Sequence, residues 1–304
     1  MPTVRPAPDA AAFYTAQSAF SDPGEFAAGY AGLPTGPREL AAVVRGLMLH
    51  RREVGRFGPA VPPEHLREDA EARYLDAILR VLLGRSDAPL TRRRAAGERF
   101  VGVCRDFALL HCSLLRHAGV PARLRCGFAG YLGPAGFHTD HVVTEYWDAG
   151  RGWLLADPEL ADPAVAEALG VDFDPLDVPR DRFLVAGEVW RAVRAGSADP
   201  AVFGLRPGDP RSGEWFVAGG VRLDLAALNK VETLLWDVWG AAPDHDGAAT
   251  DGVRELYDRA AAVTAGQVPF GAARELFDRE DGLRTPRTVR SLAAFGGPRE
   301  VVLR

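Results

Sequence analysis

Between residues 98 and 160 the apolar residues change period, and that change constrains the local architecture more than any other feature of the chain. Val103, Phe107, Leu110 and Leu114 recur at helical spacing, and Leu115 widens the stripe. His117-Ala118-Gly119-Val120-Pro121 supplies a stop, with glycine near the C-cap and proline just beyond. The pattern then alternates. Leu124, Cys126 and Phe128 share one face of a strand, as do His141, Val143, Glu145 and Trp147, and as do Trp153, Leu155 and Asp157. One apolar helix followed by alternating strands predicts an α+β core, with the helix laid on an antiparallel sheet.

Three chemistry-bearing residues occupy the ends of these elements. Cys104 falls in the first helical turn, where unpaired N–H groups and the helix dipole favour a thiolate. His141 begins one strand and Asp157 ends the next. If Trp147 pairs with Arg151 across Asp148-Ala149-Gly150, His141 lies directly opposite Asp157, with Cβ atoms about 4.5–5.5 Å apart. A thiol lowered by its helix, an imidazole and an orienting carboxylate are the parts of a nucleophilic triad. Cysteine is also a common core residue, and that is the expected role of Cys112 and Cys126.

These segments resemble the transglutaminase-like superfamily of papain-fold thiol enzymes. The resemblance rests on Gly102-Val103-Cys104-Arg105-Asp106-Phe107-Ala108, Ala118-Gly119-Val120-Pro121-Ala122-Arg123, His141-Val142-Val143-Thr144-Glu145-Tyr146-Trp147 and Gly152-Trp153-Leu154-Leu155-Ala156-Asp157-Pro158. It implies Cys104 as nucleophile, His141 as general base and acid, and Asp157 as orienter. The chemistry it implies is thiolate attack on an amide, ester or thioester carbonyl. A thioester acyl-enzyme follows, released to water or to an amine. The expected acyl donor is a small molecule or peptide. A binding module that keeps the triad without catalysis is the alternative; a Cys/His/Asp metal site is a weaker one.

No cofactor or metal is expected. Asp244-His245-Asp246-Gly247 is too short, and misses the later ligands, for an EF-hand-like calcium loop. Candidate substrate-binding residues are Asp106 beside the nucleophile, Glu145 on the histidine strand, and Glu232, Asp237 and Trp239. The last three lie in a segment that would form an anionic pocket for a cationic group.

The rest of the chain bounds the setting. Its 304 residues, 47% apolar and 25% charged, can bury a sizeable core. A net charge of −5 leaves no electrostatic footprint for nucleic acid or an anionic membrane. The start of the chain has no signal-peptide pattern, and three scattered cysteines make no disulfide framework, so a cytoplasmic protein is expected. Arginine supplies every strong base except Lys230, which suits a GC-rich bacterial genome, and Arg92-Arg93-Arg94 reads as a solvated loop. The expected organisation is a helical layer over 1–97, the catalytic core over 98–160 and a mainly helical extension over 161–304. Within it, helices are expected over 9–20, 37–53, 63–83, 187–195, 220–239, 252–264 and 270–280. A strand is expected over 214–217.

Overall fold

The computed structural model describes residues 6–58, 60–241, 249–293 and 296–304. The chain divides into two compact units that cut across the three segments expected from sequence. The first comprises Met1–Leu124 and Val143–Val178, the second Arg125–Val142 and Pro179–Arg304. Strands Ala122–Ala129 and His138–Asp148 each run through the division. Pairing distant in sequence, rather than composition along the chain, therefore sets the units.

In the first unit the helix Cys104–His117 is buried along almost its whole length. It ends as its sequence requires: Gly119 takes φ 78°, and the Val120 N–H reaches back to the Leu115 carbonyl at 2.9 Å. It packs against the helix Pro37–Leu47 and the 3-10 turn Pro158–Ala161. The Thr144 hydroxyl donates to the Ala108 carbonyl at 3.2 Å and ties the helix to the antiparallel pair 144–148 and 152–156. This is the expected helix on an antiparallel sheet. A short parallel pair, Met48–His50 with Phe100–Gly102, leads the chain into the helix.

The helix expected over 63–83 is interrupted. Pro63–Glu68 and Asp69–Glu71 are separate turns, and the long helix starts at Leu75. The break frees backbone for tertiary bonds. The Leu75 N–H donates to the Phe20 carbonyl at 2.8 Å, and the Arg73 carbonyl accepts from Arg105. The stretch 37–53 likewise divides into Pro37–Leu47, the strand Met48–His50 and Arg51–Phe57. Arg92 and Arg93 are exposed, but Arg94 is buried and donates to the Ser86 and Ala88 carbonyls. Desolvation lowers its pKa.

In the second unit, helices Ala186–Arg194, Glu214–Leu228 and Asp251–Thr264 pack on one another. Residues 127–129 pair antiparallel with Phe183–Val185, and His138–Thr139 pair parallel with Phe203–Gly204. His138 begins a strand, its ring stacked on Phe203 at 5.0 Å. A small antiparallel sheet of Asp237–Val238, Thr288–Ser291 and Arg299–Val302 completes the unit.

Two expectations fail here. Residues 214–217 are helical, because Val217, Ala218, Val221 and Leu225 form a buried helical stripe that outweighs the strand preference of Trp215-Phe216-Val217. The helix then stops at Leu228 instead of continuing to 239. Lys230 takes φ 64°, and the Val231 N–H closes on the Ala226 carbonyl at 2.9 Å.

Candidate active site

The first unit builds the setting of Cys104 and Asp157. Cys104 is the first residue of its helix and is 5% exposed. The helix start is held by Asp106, whose carboxylate accepts the Val103 N–H at 2.9 Å and an Arg105 N–H at 3.1 Å. Gly102 is required there, since a Cβ would fall 2.7 Å from an Asp106 carboxylate oxygen. Arg105 also donates to the Arg73 carbonyl. Asp106 is thus committed to holding the turn that carries Cys104, and its burial raises its pKa to about 6.

Asp157 is buried at the end of the second hairpin strand. Its carboxylate caps the following turn, accepting the Glu159 N–H at 3.1 Å, and its own N–H donates to the Pro175 carbonyl at 2.7 Å. That turn packs against the Cys104 helix. Two groups around it, Glu159 and His111, were not apparent from the sequence. Glu159 is buried, with a carboxylate oxygen 3.9 Å from His50 Nε2 and the other 3.6 Å from Arg52. His111, two turns along the same face of the Cys104 helix, is fully buried, and its Nε2 donates to the Pro37 carbonyl at 3.2 Å. Desolvation lowers its pKa to about 4, while the charge of Asp157 acts in the opposite sense. The signal for these residues was their polarity within apolar periodic runs, which a search for a triad passes over.

The hairpin register differs from the expected one. Trp147 pairs with Trp153, and Asp148 with Gly152, so the strands are offset by two residues. The turn decides this: Asp148 Oδ1 accepts from Gly150 and Arg151, each at 2.9 Å, and the left-handed glycine is Gly152 at φ 88°. Carried one step further, this register sets Val143 against Asp157. A shift of two keeps every side chain on its face, so His141 lies two residues along the same face of its strand.

Glu145 is taken up structurally. It pairs with Arg123 at 2.7 Å, and that guanidinium lies over the Trp153 and Tyr14 rings, 4.1 and 5.0 Å from their centroids.

In the second unit His141 is buried, edge-on to Tyr131 and Phe183 with ring centroids 6.1 and 6.3 Å away. It lines a cavity of about 340 Å³. The wall includes Phe128, Trp215, Phe216, Gly219 and Arg222. Glu232, Asp237 and Trp239 do not line it, although their neighbours Leu235, Val238 and Gly240 do. Glu232 is buried elsewhere in the turn, Asp237 accepts the Leu234 N–H at 3.2 Å, and the Trp239 indole donates to the Leu283 carbonyl at 3.0 Å. Asp244-His245-Asp246-Gly247 lies outside the described residues.

The family model that describes the transglutaminase-like superfamily matches residues 84–158. This part of the chain is similar to that superfamily. A protein-glutamine gamma-glutamyltransferase of Pseudomonas aeruginosa is 33% identical over 103 residues, a match covering 29% of this chain and 15% of that protein's own length. A crystal structure of a candidate cysteine protease from Cytophaga hutchinsonii overlaps 54% of this chain and 47% of its own, at 18% identity and a TM-score of 0.31. A likeness of that size bears on neither fold nor activity. The matched segment contains Cys104, His141 and Asp157. Among the described residues no helix is long and apolar enough to cross a membrane.

Proposed function

We propose that the protein is a thiol acyltransferase or amidohydrolase in which Cys104 is the nucleophile, His141 the general base and acid, and Asp157 the orienter. One observation carries the reading: the transglutaminase-like match contains all three residues, with Cys104 at the first turn of its helix. The hairpin register supports the pairing of His141 with Asp157, since it keeps both on one sheet face.

In the proposed reaction the Cys104 sulfur attacks the carbonyl carbon of an amide, ester or thioester and forms a C–S bond. The resulting oxyanion is met by the Cys104 N–H at the helix N-terminus. His141 hands its proton to the departing amine, alcohol or thiol as the bond to the carbonyl carbon breaks. It then takes a proton from water or an amine, which attacks the thioester and returns the thiolate. Asp157 holds the imidazole and balances its charge. The donor is a small molecule or peptide, and the protein acts without a metal or other cofactor. A cytoplasmic location suits a free thiol.

Intact-mass detection of an acyl adduct on Cys104 after incubation with activated acyl donors tests the proposal. Cys104 should also react with iodoacetamide faster than Cys112 and Cys126, and His141→Ala should slow it. Cys104→Ala should reduce turnover by roughly a thousandfold or more. Turnover that survives this substitution, or equal slow labelling of all three thiols, would favour the binding-module alternative.

A further inference from the structure

Among the described residues, the cavity beside His141 is lined by two arginines and one carboxylate. The helix Glu214–Leu228 presents Trp215, Gly219 and Arg222 to it, at successive turns of one face. Arg222 is only 2% exposed. One of its terminal nitrogens donates to the Trp239 carbonyl at 2.6 Å, and its guanidinium lies 4.7 Å from the Trp239 ring centroid. Its Nε is buried without a hydrogen-bond partner. Among the described residues no carboxylate lies within ion-pair distance of it.

Four other buried arginines differ. Arg45, Arg105, Arg123 and Arg125 pair with Glu53, Asp106, Glu145 and Asp224. Arg94 forms no ion pair with a described residue but donates to two carbonyls. A second arginine, the exposed Arg290 on the strand Thr288–Ser291, also lines the cavity and forms no ion pair with a described residue, Glu300 across the strand pair included. The acidic lining residue is Asp140, next to His141 in the chain, and it acts electrostatically on Arg211.

We infer that this cavity binds an acyl donor carrying a carboxylate away from its reacting carbonyl, with Arg222 and Arg290 supplying the countercharge. The inference rests on the proposed acyl chemistry and names its substrate class. Burying a guanidinium without a counter-ion is unfavourable, and a ligand carboxylate removes that imbalance through charge-assisted hydrogen bonds. Phe128, Trp215 and Phe216 give the wall an apolar surface, which suits a short aliphatic spacer next to the carboxylate. A Cβ on Gly219 would meet nothing within 4 Å, so the helix leaves open space at its middle. The polarity is opposite to that expected from Glu232 and Asp237: the cavity selects anions, not cations.

Calorimetric titration of full-length Cys104→Ala protein with succinate, glutarate and adipate tests this, with glutaramide as the neutral control. At least one diacid should bind tenfold or more tightly than glutaramide. Arg222→Gln should weaken that binding about tenfold or more, and Arg290→Gln about threefold. Gly219→Leu, which leaves both arginines in place, should block it. Binding of no diacid, equal binding of diacid and amide, or full binding in the Gly219→Leu protein overturns the proposal.

The wild-type protein separates this from the catalytic reading. Acylation of Cys104 by p-nitrophenyl hydrogen glutarate is compared with acylation by p-nitrophenyl valerate. If neither ester acylates Cys104 but a diacid binds, the catalytic reading falls and the anion site stands. If both esters acylate it equally and no diacid binds, the anion site falls and the catalytic reading stands.

Discussion

Asp224→Ala should be among the most damaging single substitutions in the second unit. Arg125 and Asp224 are both fully buried and joined by two hydrogen bonds, at 3.1 and 2.9 Å. The same carboxylate accepts the Cys126 N–H at 2.8 Å, and Arg125 also donates to the Thr264 carbonyl at 2.6 Å. One ion pair therefore joins the strand Ala122–Ala129 to helices Glu214–Leu228 and Asp251–Thr264. The strand supplies Cys126, Gly127 and Phe128 to the cavity, and the first helix supplies Trp215, Phe216 and Gly219, so the pair sets the separation of two cavity walls. Removing the carboxylate strands a buried guanidinium, which costs about 3–5 kcal/mol. The orphaned Cys126 N–H adds to this, though the two losses overlap. With an unfolding entropy of about 2.1 cal/mol/K per residue, a cooperative chain of this length would lose about 5–8 °C in Tm. Urea denaturation and scanning calorimetry measure both quantities. The double variant Arg125→Met/Asp224→Leu should recover more than half the loss, because it removes the desolvated charge along with its partner. A single-variant loss below about 1 kcal/mol, or a double variant no better than the single, would refute the electrostatic account.

His111 and Asp106 should pull the pH dependence of stability in opposite directions. The folded protein keeps His111 neutral down to about pH 4, whereas the unfolded imidazole protonates near 6.5. Stability from this residue is therefore lost as pH falls from 6.5 to 4, by about 3 kcal/mol. Buried Asp106 holds its proton up to about pH 6, whereas the unfolded carboxyl releases it near 3.8, so its contribution falls as pH rises across that interval, by about 3 kcal/mol. Urea midpoints from pH 4 to 7 should show the difference between wild type and His111→Asn growing with pH, and the reverse trend for Asp106→Asn; parallel profiles would contradict both assignments. Gly219→Ala should raise stability by about 0.5–1 kcal/mol, because the helix interior gains propensity and the new methyl meets no atom within 4 Å. A fall in the urea midpoint would show that the space beside Gly219 is not open.

The Cys104 helix was legible from its stripe and its Gly-Pro stop, because both signals are local and agree. The faces of the hairpin strands were legible too, since side chains alternate regardless of partner. The register was not. It depends on which glycine adopts the left-handed turn, and Gly152, not Gly150, does so. The segment 214–217 shows a second limit: Trp215-Phe216-Val217 carries a strand preference, yet the buried stripe running to Leu225 makes it a helix. The candidate binding residues show a third. Asp106 and Glu145 were noticed for their charge, and the structure gives both to ion pairs that hold backbone elements in place. Arg222 could not be singled out, because nothing local separates an arginine with a buried carboxylate from one without.

The chain's own sequence was enough to identify the helix that begins at Cys104 and the strands that carry His141 and lead to Asp157, because helical and strand periods and cap residues act over a few positions. Only tertiary packing decided what surrounds them. It placed His111 and Glu159 around Asp157, aligned His141 with a cavity, and left Arg222 there without a described counter-ion. The physical reason is range. Periodicity and capping are fixed by neighbours along the chain, whereas burial and charge balance depend on residues brought in from far away in sequence.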